Sequence, residues 1–403
     1  MPPPARGDLP REVRVLAVVA FVVALGFGIV APAIPLYARS FGVGTTAVGL
    51  AISSFAFFRF VSAFGGGALV ERFGERLVLA VGLGIVALAT GAAGLAPSFG
   101  WFLVLRSAGG VGSAMFTVAA LSLLLRVAPP QHRGRAASTF QGGFILGGIA
   151  GPAAGGLLAE LSPRLPFFLY AAFLLVAGAV AMVLLRTPRT AVVVDVPDGP
   201  APEPLSLAAA FRTRAYVAAL VANLGVGWML FGVRNSLVPL YVTEELGRTV
   251  AWAGAGLLVG SLAQALGLLR SGRLVDGWGR RPSLVTGAAL ATGSVALLAG
   301  PPSTVVFLVS MAVFGLSASL LASTPAALVG DVSPARGGRV VAVFQMASDL
   351  GGILGPLAAG WLTDRFSFQV AFGVTALVLA AGLVAALRLP RVSRGPGPAG
   401  RTG

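Results

Sequence analysis

Twelve apolar stretches, each near the length of a membrane-crossing helix, constrain this chain more than any other feature. An α-helix rises about 1.5 Å per residue, so about 20 apolar residues cross a hydrocarbon core of about 30 Å. The runs fall at 14–36, 46–69, 77–96, 100–125, 138–160, 165–186, 214–238, 250–270, 283–300, 304–329, 339–361 and 366–387. Backbone polar groups in hydrocarbon need internal partners, so the expected fold is an all-α integral membrane bundle of twelve transmembrane helices. Short connections make consecutive helices antiparallel. The first run follows Arg6, Arg11 and Arg14 and contains Ala31-Pro32-Ala33, which mimics a secretory signal. It is too long for one and reads as a retained helix.

Only 11% of the 403 residues are charged and 56% are apolar, which excludes a soluble globular enzyme and a disordered chain. There is no Cys and a single His, His132, so neither a disulfide nor a His/Cys metal cluster is expected, and no cofactor is implied. Without Lys no Walker A loop exists, which argues against direct ATP hydrolysis. The net charge of +15 comes entirely from Arg. With both termini placed in the cytoplasm, 22 Arg fall in inner loops and tails, and only Arg39, Arg164, Arg248 and Arg365 fall outside. This bias predicts a multi-pass protein of the cell (inner) membrane with cytoplasmic termini. It also assigns the positive charge to the lipid bilayer and its anionic headgroups, with no nucleic acid partner.

The longest connection, 187–213, carries Pro188, Pro197, Pro200, Pro202 and Pro204, followed by a short amphipathic stretch from Leu205 to Arg212. It divides the chain into an N-terminal six-helix bundle (1–186), a cytoplasmic linker (187–213) and a C-terminal six-helix bundle with a short cytoplasmic tail (214–403). The halves repeat. Gly67-x-Leu69-x-Glu71-Arg72-x-Gly74-Glu75-Arg76 recurs as Gly272-x-Leu274-x-Asp276-x-x-Gly279-Arg280-Arg281. Gly147-x3-Gly151-Pro152-x2-Gly155-Gly156 recurs as Gly351-x3-Gly355-Pro356-x2-Ala359-Gly360, and Pro35-Leu36-Tyr37 as Pro239-Leu240-Tyr241. An even number of spans per copy makes the repeats parallel, with a pseudo-two-fold axis along the membrane normal and a site between the halves.

On these motifs the chain resembles the major facilitator superfamily, in particular its twelve-span drug and metabolite proton antiporters. The first motif resembles the family's loop signature. Arg106-x3-Gly110-x-Gly112 resembles the fourth-span motif linked to proton coupling, and the Gly147–Gly156 motif resembles the fifth-span signature associated with exporters. The resemblance implies that the second and eleventh spans lie side by side across the seam. Arg59 and Asp349 each sit about 15 Å from the inner end of those spans, so an interdomain pair with a proton-coupling role is expected there. It also implies an inner gate, with Glu71 and Asp276 clamping the positive N-termini of the eleventh and fifth spans, joined by Arg72, Arg76, Arg280 and Arg281, with Asp331 and Arg339 as partners.

Charged groups inside a bilayer are functional candidates by default. Four occur: Arg59, Arg106, Arg234 and Asp349. Uncharged cavity candidates are Gln141, Asn223, Trp228, Asn235, Gln264 and Gln345. The glycines of the fifth-span motif permit close helix approach, and Pro152 and Pro356 permit bends. The expected function is secondary active export of a small molecule by alternating access, coupled to protons, in a monomer. Embedded positive charge favours an anionic or neutral substrate. The alternatives are an importer or facilitator of a small metabolite, and a non-transporting membrane sensor or scaffold.

Overall fold

A computed structural model describes residues 9–128, 132–185, 207–332 and 338–390. The first half holds α1 (Arg11–Arg39), α2 (Thr45–Phe73), α3 (Glu75–Ala93), α4 (Phe99–Val127), α5 (Arg133–Leu161) and α6 (Leu165–Leu184). The second holds α7 (Arg214–Glu245), α8 (Val250–Trp278), α9 (Arg280–Leu298), α10 (Thr304–Val332), α11 (Gly338–Arg365) and α12 (Phe368–Leu387). Among the described residues, eleven of these are long and apolar enough to cross a membrane. The exception is α9, diluted by Thr286, Thr292 and Ser294, yet it has the 19-residue length of its repeat mate α3. A short helix, Leu207–Phe211, precedes α7. The Pro-rich part of the linker lies outside the described residues.

The helices extend beyond their apolar cores because polar end residues continue the backbone ladder into the headgroup region. Pro32 interrupts α1 between Arg11–Val30 and Ala33–Arg39. The corresponding α7 is continuous but contains two π-helical segments, Gly227–Val233 and Tyr241–Glu245. The connections α2–α3 and α8–α9 are single residues, Gly74 and Gly279, with φ of +80° and +95°. Only glycine adopts that conformation without strain, which explains why both copies of the loop motif keep it.

Each half closes on itself by repeated devices. At the Arg-poor face Tyr37 packs on Phe102 and Phe167, with ring centroids 5.5 and 5.1 Å away. Its mate Tyr241 packs on Phe307 and Phe372 at 6.5 and 5.2 Å. At the Arg-rich face Arg76 donates to the Met182 carbonyl and Arg281 to the Leu387 carbonyl, tying α3 to the end of α6 and α9 to the end of α12. The ion pairs beside them have opposite polarity. Glu75 meets Arg126 at 3.0 Å, whereas Arg280 meets Asp331 at 3.1 Å.

The α1–α5 packing rests on a stripe of glycines one turn apart. A Cβ on Gly143, Gly147, Gly151 or Gly155 would strike the backbone of α1 at Ala17, Phe21, Leu25 or Ile29 respectively. Such spacing lets two helices approach backbone to backbone. The α7–α11 packing uses Gly227, Gly351 and Gly355 in the same way, against Ser348, Leu224 and Trp228.

Candidate transport pathway and gates

The two halves meet along α2–α11 and α5–α8. At the Arg-poor face α2 and α11 are locked together. Asp364 accepts from Thr45 N at 2.7 Å, Thr46 N at 2.7 Å and Thr46 Oγ1 at 2.6 Å. Further in, Gly49 lies against Pro356, and Ser53 Oγ donates to the Ile353 carbonyl at 2.6 Å. On the other seam Glu160 Oε1 accepts from Ala251 N at 3.0 Å, and Gly156 and Pro152 lie against Gly254. Between the two seams Arg39 holds Glu244 through Nε and Nη2 at 2.8 and 3.1 Å. The cross-seam bonds of Asp364, Ser53, Glu160 and Arg39 lie between Ser53 and the Arg-poor face on α2, or at equivalent depth elsewhere. These bonds hold the halves together at the Arg-poor face.

Arg59 and Asp349 lie beyond the Ser53–Ile353 bond, on the Arg-rich side of it along α2 and α11. Antiparallel register, with Gly49 at Pro356 and Ser53 at Ile353, puts them at one height. They lie within electrostatic range of each other without a direct ion pair. Arg59 is exposed and Asp349 half-buried. Arg106 is buried, its guanidinium 4.6 Å from the Phe55 ring centroid, and its Nε has no hydrogen-bond partner. Tyr170, on α6, lies in electrostatic range of both Arg106 and Arg59. Two cations, one phenol and one carboxylate are thus linked in one chain of electrostatic contacts, with Arg59 and Asp349 on the α2–α11 seam. Tyr170 and Phe55 escape a sequence reading because an aromatic in an apolar span signals only packing.

Arg234 has a different setting. Its Nη2 donates to the Leu257 carbonyl at 2.9 Å and to Ser261 Oγ at 3.0 Å, so it is bound to α8 within its own half. Asn223 Nδ2 donates to the Phe344 carbonyl at 2.7 Å, and Trp228 Nε1 to Thr375 Oγ1 at 3.3 Å, and these contacts hold α7 to α11 and α12. Asn235 bonds its own helix at the Phe231 carbonyl. Gln141 and Gln345 are exposed and Gln264 half-buried.

The loop-motif residues divide by role. Glu71, Arg72 and Arg339 are exposed, and Gly67 faces open space. Arg72 stacks on Phe73 at 5.3 Å. Arg76 and Arg281 bond inside their own halves, and Arg280 pairs with Asp331 inside the second half. The side chains of Gly272 and Asp276 lie outside the described residues. In the fifth-span motif, Gly147, Gly151 and Gly155 face α1, while Gly156 and the Pro152 carbonyl face α8; on α11, Gly355 faces α7 and Pro356 faces Gly49 and Gly232. The motif therefore serves both the interior of its half and the seam.

Two six-helix repeats, packed face to face along two seams, define a membrane transporter. The family model described as Major Facilitator Superfamily matches residues 16–260 and 226–403, and the chain belongs to that superfamily. It is 24% identical over 376 residues to multidrug resistance protein 1 of Bacillus subtilis (strain 168), covering 92% of this chain and 94% of that protein. It is 27% identical over 183 residues to the quinolone resistance protein NorA of Staphylococcus aureus (strain MRSA252), covering 44% of this chain and 46% of that protein. Its fold matches a bacterial homolog of the human lysosomal transporter Spinster with a TM-score of 0.75 at 17% identity, covering 94% and 97% of the two chains. A D-xylose-proton symporter matches with a TM-score of 0.73 at 18% identity over 93% and 96%. The chain is a transporter and not an enzyme.

Proposed function

We propose that this transporter is a proton-coupled exporter of a small anionic or neutral molecule. The Arg-rich face is cytoplasmic on this reading, as the Arg bias requires, so the described bonds between the halves 1–186 and 214–403 close the outer side. Alternating access rocks them about the α2–α11 and α5–α8 seams. The single observation that carries the coupling is the position of Asp349, facing Arg59 where the seam forks. An opposing guanidinium favours the carboxylate, and its withdrawal favours the protonated acid. Rocking changes that separation, so one movement changes both access and proton affinity. Arg59 and Arg106 against one Asp leave the pathway positive, which repels lipophilic cations. Export as the direction is supported by similarity to proteins named for multidrug and quinolone resistance.

The test is flux in proteoliposomes with an imposed pH gradient, screened over anionic and neutral metabolites and antibiotics. Substrate movement against its gradient, opposite to the proton and lost without the pH gradient, is the expected result. Movement with the proton would make the protein an importer, and absence of flux across the panel would favour a sensor or scaffold.

A further inference from the structure

We infer that Glu160 and Asp364 are a two-fold-related pair of outer-gate latches, each closing the Arg-poor face by capping the first turn of a helix in the opposite half. The inference rests on the alternating-access reading but adds a device that the loop motif does not contain. Asp364 ends α11 and Glu160 ends α5, at repeat-related positions. Each reaches across a seam to a helix that begins after a glycine or threonine. Asp364 takes the N–H groups of Thr45 and Thr46 at the start of α2, and Glu160 takes that of Ala251 at the start of α8. A helix leaves its first four N–H groups without intrahelical partners and carries about half a positive charge at that end. Neither helix start has a cap from its own side chain: Gly44 has none to offer, and Thr249 makes no capping bond. The caps therefore come from the other half, and they exist only while the outer seam is shut.

The arrangement mirrors the opposite ends of the same helices. Glu71 ends α2 and is exposed with no hydrogen bond, in the state where Asp364 is fully engaged at the other end of α2. Each half thus carries an acid at both faces, and rocking exchanges one set of helix caps for the other. Opening the outer side frees two carboxylates and three N–H groups to water, so the outer latches set how much of the protein rests inward-open.

The experiment uses the full chain, which has no Cys, so that introduced cysteines are the only labelling sites. Spin labels at residues 98 and 302 report the Arg-poor face, and labels at 125 and 330 report the Arg-rich face, by electron–electron distance measurement in lipid nanodiscs. Asp364→Asn and Glu160→Gln remove the charge attracted to the helix start and should each lower the closed-to-open ratio at the outer face about two- to fivefold, with near-additive effects in the double variant. The outer distance should lengthen as the inner one shortens. Glu245→Gln is the control. Glu245 pairs with Gln369 inside the second half, so removing its charge should leave both distances unchanged. Thr46→Ala, which removes one donor to Asp364, gives a smaller shift of the same sign and serves if Asp364→Asn yields no folded protein. Unchanged distances in the double variant, or an equal shift in Glu245→Gln, would overturn the latch. These readouts need no substrate, so their failure is distinct from failure of proton-coupled export.

Discussion

The oppositely charged mates Glu75–Arg126 and Arg280–Asp331 should differ sharply in what they contribute. The Glu75 side chain is 1% exposed, with Oε1 3.0 Å from Arg126 Nε. Its Oε2 has no partner, and Ser122 offers only a marginal contact at 3.5 Å. Arg126→Ala therefore strands a buried carboxylate. Breaking a buried pair this way costs about 3–5 kcal/mol. The Arg126 side chain is 40% exposed, so solvent already screens the pair and the lower figure, about 3 kcal/mol, applies. Arg280 and Asp331 are 33% and 54% exposed, and Asp331→Asn should cost no more than about 1 kcal/mol. For a unit the size of the first half, about 3 kcal/mol corresponds to a fall of about 6–12 °C in Tm. Thermal unfolding in one lipid environment measures both variants. Glu75→Gln added to Arg126→Ala should recover most of the loss, because it removes the stranded charge. Equal melting of Arg126→Ala and Asp331→Asn, or no recovery in the double variant, would refute the assignment of Glu75 as a charge that needs Arg126.

Asp349→Asn should abolish transport driven by a pH gradient while leaving substrate exchange partly intact, measured as counterflow in proteoliposomes; wild-type coupling in that variant would place the proton site elsewhere. Quaternary ammonium dyes should be poor substrates, and robust dye efflux would contradict the positive pathway. Gly151→Ala should destabilise by about 1–3 kcal/mol, since its Cβ meets the Leu25 carbonyl and Gly28, whereas Gly148→Ala should be near neutral because nothing lies within 4 Å. Paired melting curves decide it. Glu71→Gln should leave the inward-open state unchanged and weaken the outward-open one, so that inner-face distances lengthen only under conditions that populate the latter.

The helix count and the repeat were legible in the sequence because both depend on pattern. Hydrophobic length sets the spans, and matching residues at two adjacent offsets reveal the copies. The aromatic clusters at Phe102 and Phe307 and the Arg76 and Arg281 staples follow an offset one residue longer than the one that links Pro35-Leu36-Tyr37 to Pro239-Leu240-Tyr241. What a search for identity misses is complementarity. Glu75 against Arg126 and Arg280 against Asp331 are the same contact with its charges exchanged, and position-by-position matching scores both as mismatches. The outer acids Glu160 and Asp364 were visible only as charges at span ends. Their shared offset, opposite helix starts at Thr249 and Thr45, was the available signal. Tyr170 carried none, since its relation to Arg106 and Arg59 arises only when α6 is folded against the first half.

The division of labour between symmetric and asymmetric residues bears on mechanism. Groups that recur in both copies, such as Gly74 and Gly279, Arg76 and Arg281, and Glu160 and Asp364, shape hinges, staples and latches, which a rocking motion needs on both sides of its axis. Groups that occur once break that symmetry: Asp349 faces Arg59 on one seam, where the repeat-related positions on the other are Ile145 and Ala263. A symmetric hinge with a charge pair on one seam can move as a whole while titrating at a single place. On the proposed coupling, that arrangement would tie one proton-exchange event to each change of access, because among the described residues no second carboxylate lies at the same depth.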